Sequence, residues 1–333
     1  MKENIGVLGG GSWGSTITNI VTENNFKVIQ WLRDKQIVDE INQNKTNTKY
    51  LTDYIKLNEN IEATTDLEFL AKSCKTILIA LPSEAMRKVM YNLGNFVTGE
   101  YILVHATKGV EENPFKRMSE VIKEETCCKK IGVLSGPNLS KEIIQKQPAA
   151  TIVASNFKEV TDKTREVLTC HYFRVYGSMD VIGTEIGGSL KNIIALAAGA
   201  VNGLGYGDNA KAFLLTRGLI EIKKFGEKFG ADPETFNGLA GMGDLMTTCA
   251  SKFSRNYQVG FRIAKGEKLE DIRKSILQTA EGVSTTKIVH NLAKKFNVYM
   301  PITEAVYQLL YEDLKIEEAV HNLMSIEVMY ESD

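Results

Sequence analysis

The chain is poor in the residues on which several functional classes depend. Its 333 residues hold five cysteines, four histidines, six prolines and two tryptophans. The cysteines (Cys74, Cys127, Cys128, Cys170, Cys249) are odd in number and form no CxxC pair, and the histidines make no HExxH, so neither a disulfide framework nor a metal site is expected. An excess of one charge is missing too. Against 41 Asp and Glu stand 40 Lys and Arg, a net charge of −1, which lacks the basic footprint of a general nucleic-acid binder but leaves room for local anion sites. The apolar stretch from Ile193 to Val201 is too short to cross a bilayer. A strand-like run starts within a few residues of Met1, leaving no space for a signal peptide. There is no repeat, low-complexity tract or Pro/Ser-rich linker. These absences point to a soluble, cytoplasmic protein with reduced thiols.

What is present is organised in two parts. A chain of this length exceeds the size at which a single core stops growing, so two domains are expected. Up to about residue 178, short Val/Ile/Leu-rich runs (Ile5 to Leu8, Lys27 to Leu32, Thr76 to Leu81, Tyr101 to His105, Ile131 to Leu134, Ala150 to Ala154) alternate with helical stretches. That is the pattern of βαβ units and a mainly parallel sheet covered on both faces. From about Asp180 apolar residues recur at helical spacing instead, and Val181, Ile182, Ile186, Leu190, Ile193, Ile194, Ala197 and Val201 trace one face. The pattern predicts an α/β domain over residues 1–185 and an all-α domain over 186–333, the second opening directly with a long helix. Residues 44–60 carry weak periodicity and suggest no role.

Between the first strand and the first helix, Gly9-Gly10-Gly11-Ser12-Trp13-Gly14 matches GxGxxG. Gly9 can make the tight turn, Gly11 lets backbone approach a pyrophosphate, and Gly14 lets the helix pack close to the strand. The helix N-terminus adds free N–H groups and a favourable dipole. GxGxxG alone is a weak signal; its place directly after an apolar strand makes it a dinucleotide loop. The second strand runs into Arg33 and Asp34. Asp34 stands about twenty residues past the loop, where the acid that accepts from the ribose hydroxyls of NAD is expected. Arg33 is suited instead to the 2′-phosphate of NADP. Because Asp is a good N-cap and Asp34 precedes the periodic Ile37, Val38 and Ile41, we expect Asp34 to cap a helix and Arg33 to decide, with both NADPH and NADH used.

Four later segments place polar residues in apolar or glycine-rich settings. Lys108, in His105-Ala106-Thr107-Lys108-Gly109, follows a strand and so lies at the carboxyl edge of the sheet, although a lone lysine there is more often solvated. Ser135-Gly136-Pro137-Asn138 ends the next strand at the same edge, as an ordinary turn would. Lys191 sits within a largely apolar helix and is expected to lie over Gly187 and Gly188, whose missing side chains would leave a depression for a small substrate; the bland alternative is a snorkelling lysine. In the fourth segment a glycine run from Gly238 to Gly243 leads to Asp244, and Ser254-Arg255-Asn256 follows at a helix start. Arg255 is suited to a bidentate grip on phosphate, or equally to a surface ion pair.

At these residues the chain resembles the bacterial NAD(P)-dependent glycerol-3-phosphate dehydrogenases, and the likeness runs from end to end. The matching stretches are GGGSWG, LPSEAMR, HATKGVE, GGSLKNIIALAAG, AKAFLLTRGL, GADPETFNGLAGMGDLMTTC, SRN, AEGVSTT and MPITEAVY. The resemblance implies a Rossmann-type N-terminal domain with an all-α C-terminal domain, of the 6-phosphogluconate-dehydrogenase-like kind, and a homodimer. It implies interconversion of glycerol 3-phosphate and dihydroxyacetone phosphate with NAD or NADP, supplying glycerol 3-phosphate for phospholipid synthesis. Lys191 would be the proton donor and acceptor, with Lys108, Asn192, Asp244 and Thr248 around the reacting carbons. Gly136, Asn138, Ser254, Arg255 and Asn256 would hold the substrate and its phosphate. Gly9, Gly11, Ser12, Trp13, Gly14, Arg33, Lys108, Ser140, Arg255, Thr279 and Glu281 would contact the cofactor. Where that family commonly reads Gly-Pro-(Ser or Thr)-Phe-Ala, this chain has Gly136-Pro137-Asn138-Leu139-Ser140. Two other readings carry different requirements. A dehydrogenase of another hydroxy acid would need a carboxylate site where Arg255 stands, and a dinucleotide sensor would need only the nucleotide loop.

Overall fold

A computed structural model of the chain describes residues 2–51, 55–112, 115–275, 280–327 and 330. Its first part is built on an eight-stranded sheet of order β10-β9-β8-β5-β4-β1-β2-β3. The strands are β1 (Ile5–Leu8), β2 (Val28–Trp31), β3 (Ile61–Thr64), β4 (Thr76–Ile79), β5 (Ile102–His105), β8 (Lys130–Ser135), β9 (Ala149–Ala154) and β10 (Phe173–Ser178). A small hairpin, β6 (Val110–Glu111) with β7 (Lys116–Arg117), lies apart. Strands β1, β2, β4 and β5 are buried throughout, which is why they read as largely apolar runs, Gln30, Thr76 and His105 being their buried polar residues. Successive side chains serve opposite faces: Ile5, Val7, Val28, Leu78, Ile102 and Val104 join one core, while Leu8, Ile29, Ile77, Ile79 and Leu103 join the other. The sheet is therefore covered on both sides, as expected.

The parallel register holds from β3 through β8 and then reverses. Strand β9 pairs antiparallel with β8, and β10 parallel with β9. The connection between β8 and β9 carries only the four-residue helix Ser140–Ile143, not a crossover helix that would return the chain to the far end of the sheet. Besides the two hairpin strands, two strands of the main sheet were not foreseen, β3 and β10, and both are edges where only alternate residues are buried.

The second part is helical and is organised around Val181–Gly203. Asp180 caps this helix through Gly183 N (2.9 Å), while its other oxygen accepts from Thr235 Oγ1 (2.7 Å) and Asp232 N (3.0 Å). The expected one-sided apolar face is not what is found: Val181, Ile182, Ala197 and Val201 are the less buried residues, and the helix is buried nearly all round. By length and composition it could cross a membrane, but 89% of its most apolar window is covered by the rest of the molecule, which makes it a core helix. Its small residues let neighbours touch backbone to backbone. A Cβ on Gly199 would lie 1.9 Å from Tyr257 O, and one on Gly260 would lie 1.9 Å from Leu196 O, so the helix Arg255–Ala264 crosses in direct contact. The helix runs unbroken through residues 185 and 186. Glu185 pins it to the sheet-bearing part, accepting from Ser119 N (2.8 Å), Ser119 Oγ (2.7 Å) and Arg117 Nη1 (2.6 Å).

Candidate active site

The glycine loop leaves β1 at the carboxyl edge of the sheet, and each glycine has its own reason to be there. Gly9 has φ +127°, and a Cβ on it would meet Ala80 O at 2.3 Å. At Gly14 a Cβ would lie 2.3 Å from Gly9 O, so this position sets how closely the helix Ser12–Glu23 approaches the turn. Gly11 is different: φ is −73°, and among the described residues no atom beyond its chain neighbours lies within 4 Å of where its Cβ would be. Neither strain nor packing against the described residues demands glycine at Gly11, whereas a pyrophosphate drawn close to the backbone would. No side chain caps the helix that follows, and its first turn holds no acid. Its N–H groups and dipole therefore suit the phosphates of a dinucleotide. Asp34 caps the helix Lys35–Asn44 through Gln36 N (3.1 Å), as the sequence predicts, and Arg33 is exposed beside it.

The polar residues of the four later segments converge where the ends of β5 and β8 face the helix Val181–Gly203. Lys191 is 4% exposed and Asp244 1%. The Lys191 ammonium donates to Asp244 Oδ1 in a short contact and to Thr248 Oγ1 at 2.6 Å. Lys108 takes the other oxygen of the same carboxylate, Oδ2, at 2.8 Å and also donates to Gly136 O at 3.0 Å. One carboxylate thus sits between two ammonium groups. A second chain runs alongside: Asn192 Nδ2 donates to Lys108 O (3.4 Å), Asn256 Nδ2 to Asn192 Oδ1 (2.8 Å), and Gly282 N to Asn256 Oδ1 (2.9 Å). Burial is the first cause that pushes the Lys191 ammonium down, to about 7; Lys108 pushes the same way and Asp244 opposes both. A lysine poised near neutrality beside a hydroxyl and a carboxylate can give or take a proton.

The glycines under Lys191 do not form the depression expected of them. A Cβ on Gly187 would lie 2.5 Å from Ala240 O, and one on Gly188 would lie 2.6 Å from Ser135 Oγ. Their empty space is filled by the π-helical turn Leu239–Gly243 and by the end of β8. Close packing at these glycines brings Asp244, the residue after that turn, against the lysine helix. The glycine run serves the same packing, since a Cβ on Gly241 would lie 2.1 Å from Phe236 O.

This geometry has close counterparts among known proteins. Residues 4–161 match the family model described as the N-terminus of NAD-dependent glycerol-3-phosphate dehydrogenase, and residues 180–321 match the model of its C-terminus. The chain belongs to the NAD-dependent glycerol-3-phosphate dehydrogenase family. It is 44% identical over 326 residues to a glycerol-3-phosphate dehydrogenase [NAD(P)+] of Macrococcus caseolyticus, covering 97% of this chain and 98% of that one. A Staphylococcus aureus enzyme of the same description is 45% identical over 323 residues, 96% of this chain and 97% of its own. A crystal structure of glycerol-3-phosphate dehydrogenase from Coxiella burnetii superposes with a TM-score of 0.93 at 35% identity, over 98% of this chain and 99% of that one.

The remaining expected site residues fall into distinct places. Ser254 caps the helix Arg255–Ala264 by accepting from Tyr257 N (3.3 Å), so Arg255 stands at a helix start, as expected, with an exposed side chain. Glu281 opens the helix Glu281–Phe296, and its charge acts on Arg255. Its carboxylate also accepts from Ser83 N (3.0 Å) and Ser83 Oγ (2.5 Å), tying the helical part to the start of the helix Ser83–Gly94. Burial pushes this carboxyl up, and Ser83 works against that rise. Trp13 meets Phe173 edge-on, and the Ser12 hydroxyl donates to Tyr50 O (2.8 Å). Asn138 Nδ2 donates to Thr151 Oγ1 (3.0 Å) on β9, and Ser140 begins the four-residue helix. Thr279 lies outside the described residues. Two contributors were missed. Ser83 follows a strand and opens a helix, a legible signal, whereas Asn47, which donates to Gly10 O (2.8 Å) and Ser15 Oγ (2.9 Å), lies in the segment of weak periodicity.

Proposed function

We propose that Lys191 is the acid and base in the interconversion of sn-glycerol 3-phosphate and dihydroxyacetone phosphate, the activity of the family. The observation that carries this reading is the single carboxylate of Asp244 held between Lys108 and Lys191 in a buried site. When bound, NAD(P)H supplies the hydride for C2 of the substrate. Protonated Lys191 gives its proton to the C2 oxygen as negative charge develops there, and Thr248 and Asp244 hold the ammonium in place. In the reverse direction neutral Lys191 takes the proton of the C2 hydroxyl. Lys108 lowers the proton affinity of Lys191, and Asp244 keeps it from falling further. Arg255, at an exposed helix start, is suited to grip the substrate phosphate with the backbone N–H groups of Asn256. Arg33 is suited to the adenosine end, with both cofactors accepted.

The same reading takes residues 1–185 as the nucleotide-binding domain and 186–333 as the substrate domain, supported by hydrophobic clusters whose buried members run from Ile5 to Val175 and from Ile186 to Val306 respectively. A homodimer in the cytoplasm, supplying glycerol 3-phosphate for phospholipid synthesis, accords with the family resemblance. The test is the absorbance of NADH and NADPH with dihydroxyacetone phosphate, its unphosphorylated analogue and a panel of 2-oxo acids. Turnover of the phosphorylated ketone alone supports the reading. Turnover of an oxo acid instead, or binding without turnover, would overturn it.

A further inference from the structure

Residues 45–51 form a strap over the nucleotide loop. The helix Lys35–Asn44 ends in a left-handed residue, Lys45 (φ 54°), which turns the chain back toward the loop. The buried Asn47 then donates to Gly10 O (2.8 Å) and Ser15 Oγ (2.9 Å), and Tyr50 O accepts from Ser12 Oγ (2.8 Å). Thr46 Oγ1 and Thr48 N both donate to Glu40 Oε1 at 2.8 Å, tying the strap to its own helix. Lys49 lies between the Asn47 and Tyr50 anchors, and its ammonium sits 3.0 Å from Asp34 Oδ2. The other oxygen, Asp34 Oδ1, accepts from Gln36 N (3.1 Å).

We propose that Lys49 sets the cofactor preference by keeping the Asp34 carboxylate from the ribose of the bound dinucleotide. To accept from a ribose diol, a carboxylate at the end of the second strand must offer free oxygens. Here both oxygens of Asp34 are engaged, one by a helix N–H and one by an ammonium. An exposed ion pair contributes little when two long side chains must be ordered to make it. Lys49 differs because its backbone is fixed on either side by bonds to the glycine loop. The pair also cancels the charge that a 2′-phosphate would otherwise meet. Lys49 is a positioning residue in this account: it acts through Asp34, and Arg33 remains free to meet the phosphate.

The inference rests on residues 28–34 forming the adenosine end of the site, and its test separates the two ideas. Specificity constants for NADPH and NADH would be measured for the wild type, Lys49→Met, Asp34→Asn and the double variant. Dissociation constants would be read in parallel from quenching of Trp13 and Trp31 fluorescence. Lys49→Met should lower the NADPH-to-NADH ratio by about 5- to 20-fold, the effect of baring one carboxylate near a phosphate in a solvent-exposed setting. Adding Asn at position 34 should restore the ratio to within about twofold of the Asp34→Asn single variant. An unchanged ratio in Lys49→Met would overturn the proposal, as would an equal fall in the Asn background, which would mean that Lys49 touches the phosphate itself. A wild type with no NADPH turnover would instead sink the reading of the adenosine end.

Discussion

Asp244 is the hinge of the proposed chemistry, and Asp244→Asn tests it through the position of a pH profile. A unit charge at hydrogen-bond distance, with an effective dielectric near 20, interacts by about 5 kcal/mol, or about 4 pKa units. Entering water and side-chain movement absorb part of that, but the direction stands: without the carboxylate the Lys191 ammonium should lose its proton well below its present value of about 7. The sign follows from the roles. Reduction needs protonated Lys191, so its kcat/KM falls as pH rises through the free-enzyme pKa, and that limb should move to lower pH. Oxidation needs neutral Lys191, and its rising limb should move the same way. The ratio of the two directions at any one pH is fixed by the equilibrium constant, since a stronger acid donates faster and its conjugate base accepts more slowly. The informative readout is therefore where the limb falls, not the relative rates. Lys108→Met provides the opposite sign: it removes a like charge, so Lys191 should hold its proton to higher pH. The assay is kcat/KM for dihydroxyacetone phosphate from pH 5 to 10 in the wild type and both variants. The substrate phosphate titrates near pH 6 in all three, so only differences between them count. Limbs that stay in place, or that move in the same direction in both variants, would refute the assignment.

Three further outcomes follow from the same geometry. Lys191→Met should lower kcat by about 10² to 10⁴ with NADH binding nearly intact. It should also raise the melting temperature by about 2 to 5 °C, since an apolar side chain replaces a buried ammonium while Asp244 keeps Lys108; both are read by stopped-flow kinetics and calorimetry. Gly11→Ala and Gly14→Ala should fail differently. The first should keep wild-type stability and lose about 10- to 100-fold in NADH affinity, because its Cβ meets no atom of the described residues but intrudes on the pyrophosphate; the second should lower stability itself, with a Cβ 2.3 Å from Gly9 O. Arg255→Ala should raise the KM for dihydroxyacetone phosphate steeply and erase most of the preference over unphosphorylated dihydroxyacetone, and intact discrimination would place the phosphate elsewhere.

The central strands were legible because burial on both faces keeps them largely apolar, as in Ile5-Gly6-Val7-Leu8. The edges were not. Strand β3 reads Ile-Glu-Ala-Thr, and β10 buries Phe173 and Val175 while exposing Arg174 and Tyr176, so each carries half the apolar signal over four to six residues. The reversal at β9 was hidden for another reason: strand direction is set by what the connection can span, and the short helix after Ser135 has no composition that marks it as a non-crossover. Asp34 could be read correctly because capping is local, needing only an acid before a periodic run.

The active site shows where local reading stops. That Lys191, Asp244, Lys108 and Arg255 were exceptional could be seen from their settings, and Arg255 could be placed at a helix start from its neighbours. The reason Gly187 and Gly188 stand under Lys191 could not, because it lies 53 residues further along the chain, in the backbone of Ala240, and 53 residues back, in the hydroxyl of Ser135. A glycine reports only that something approaches closely, and from sequence a ligand and a second backbone look alike. Gly11 and Gly187 make the contrast. Among the described residues no atom fills the space beside Gly11, as a ligand site requires, whereas the space beside Gly187 holds Ala240 O. The glycines of the lysine helix therefore act at one remove from the chemistry, by letting a π-helical turn come near enough for its next residue, Asp244, to reach the Lys191 ammonium.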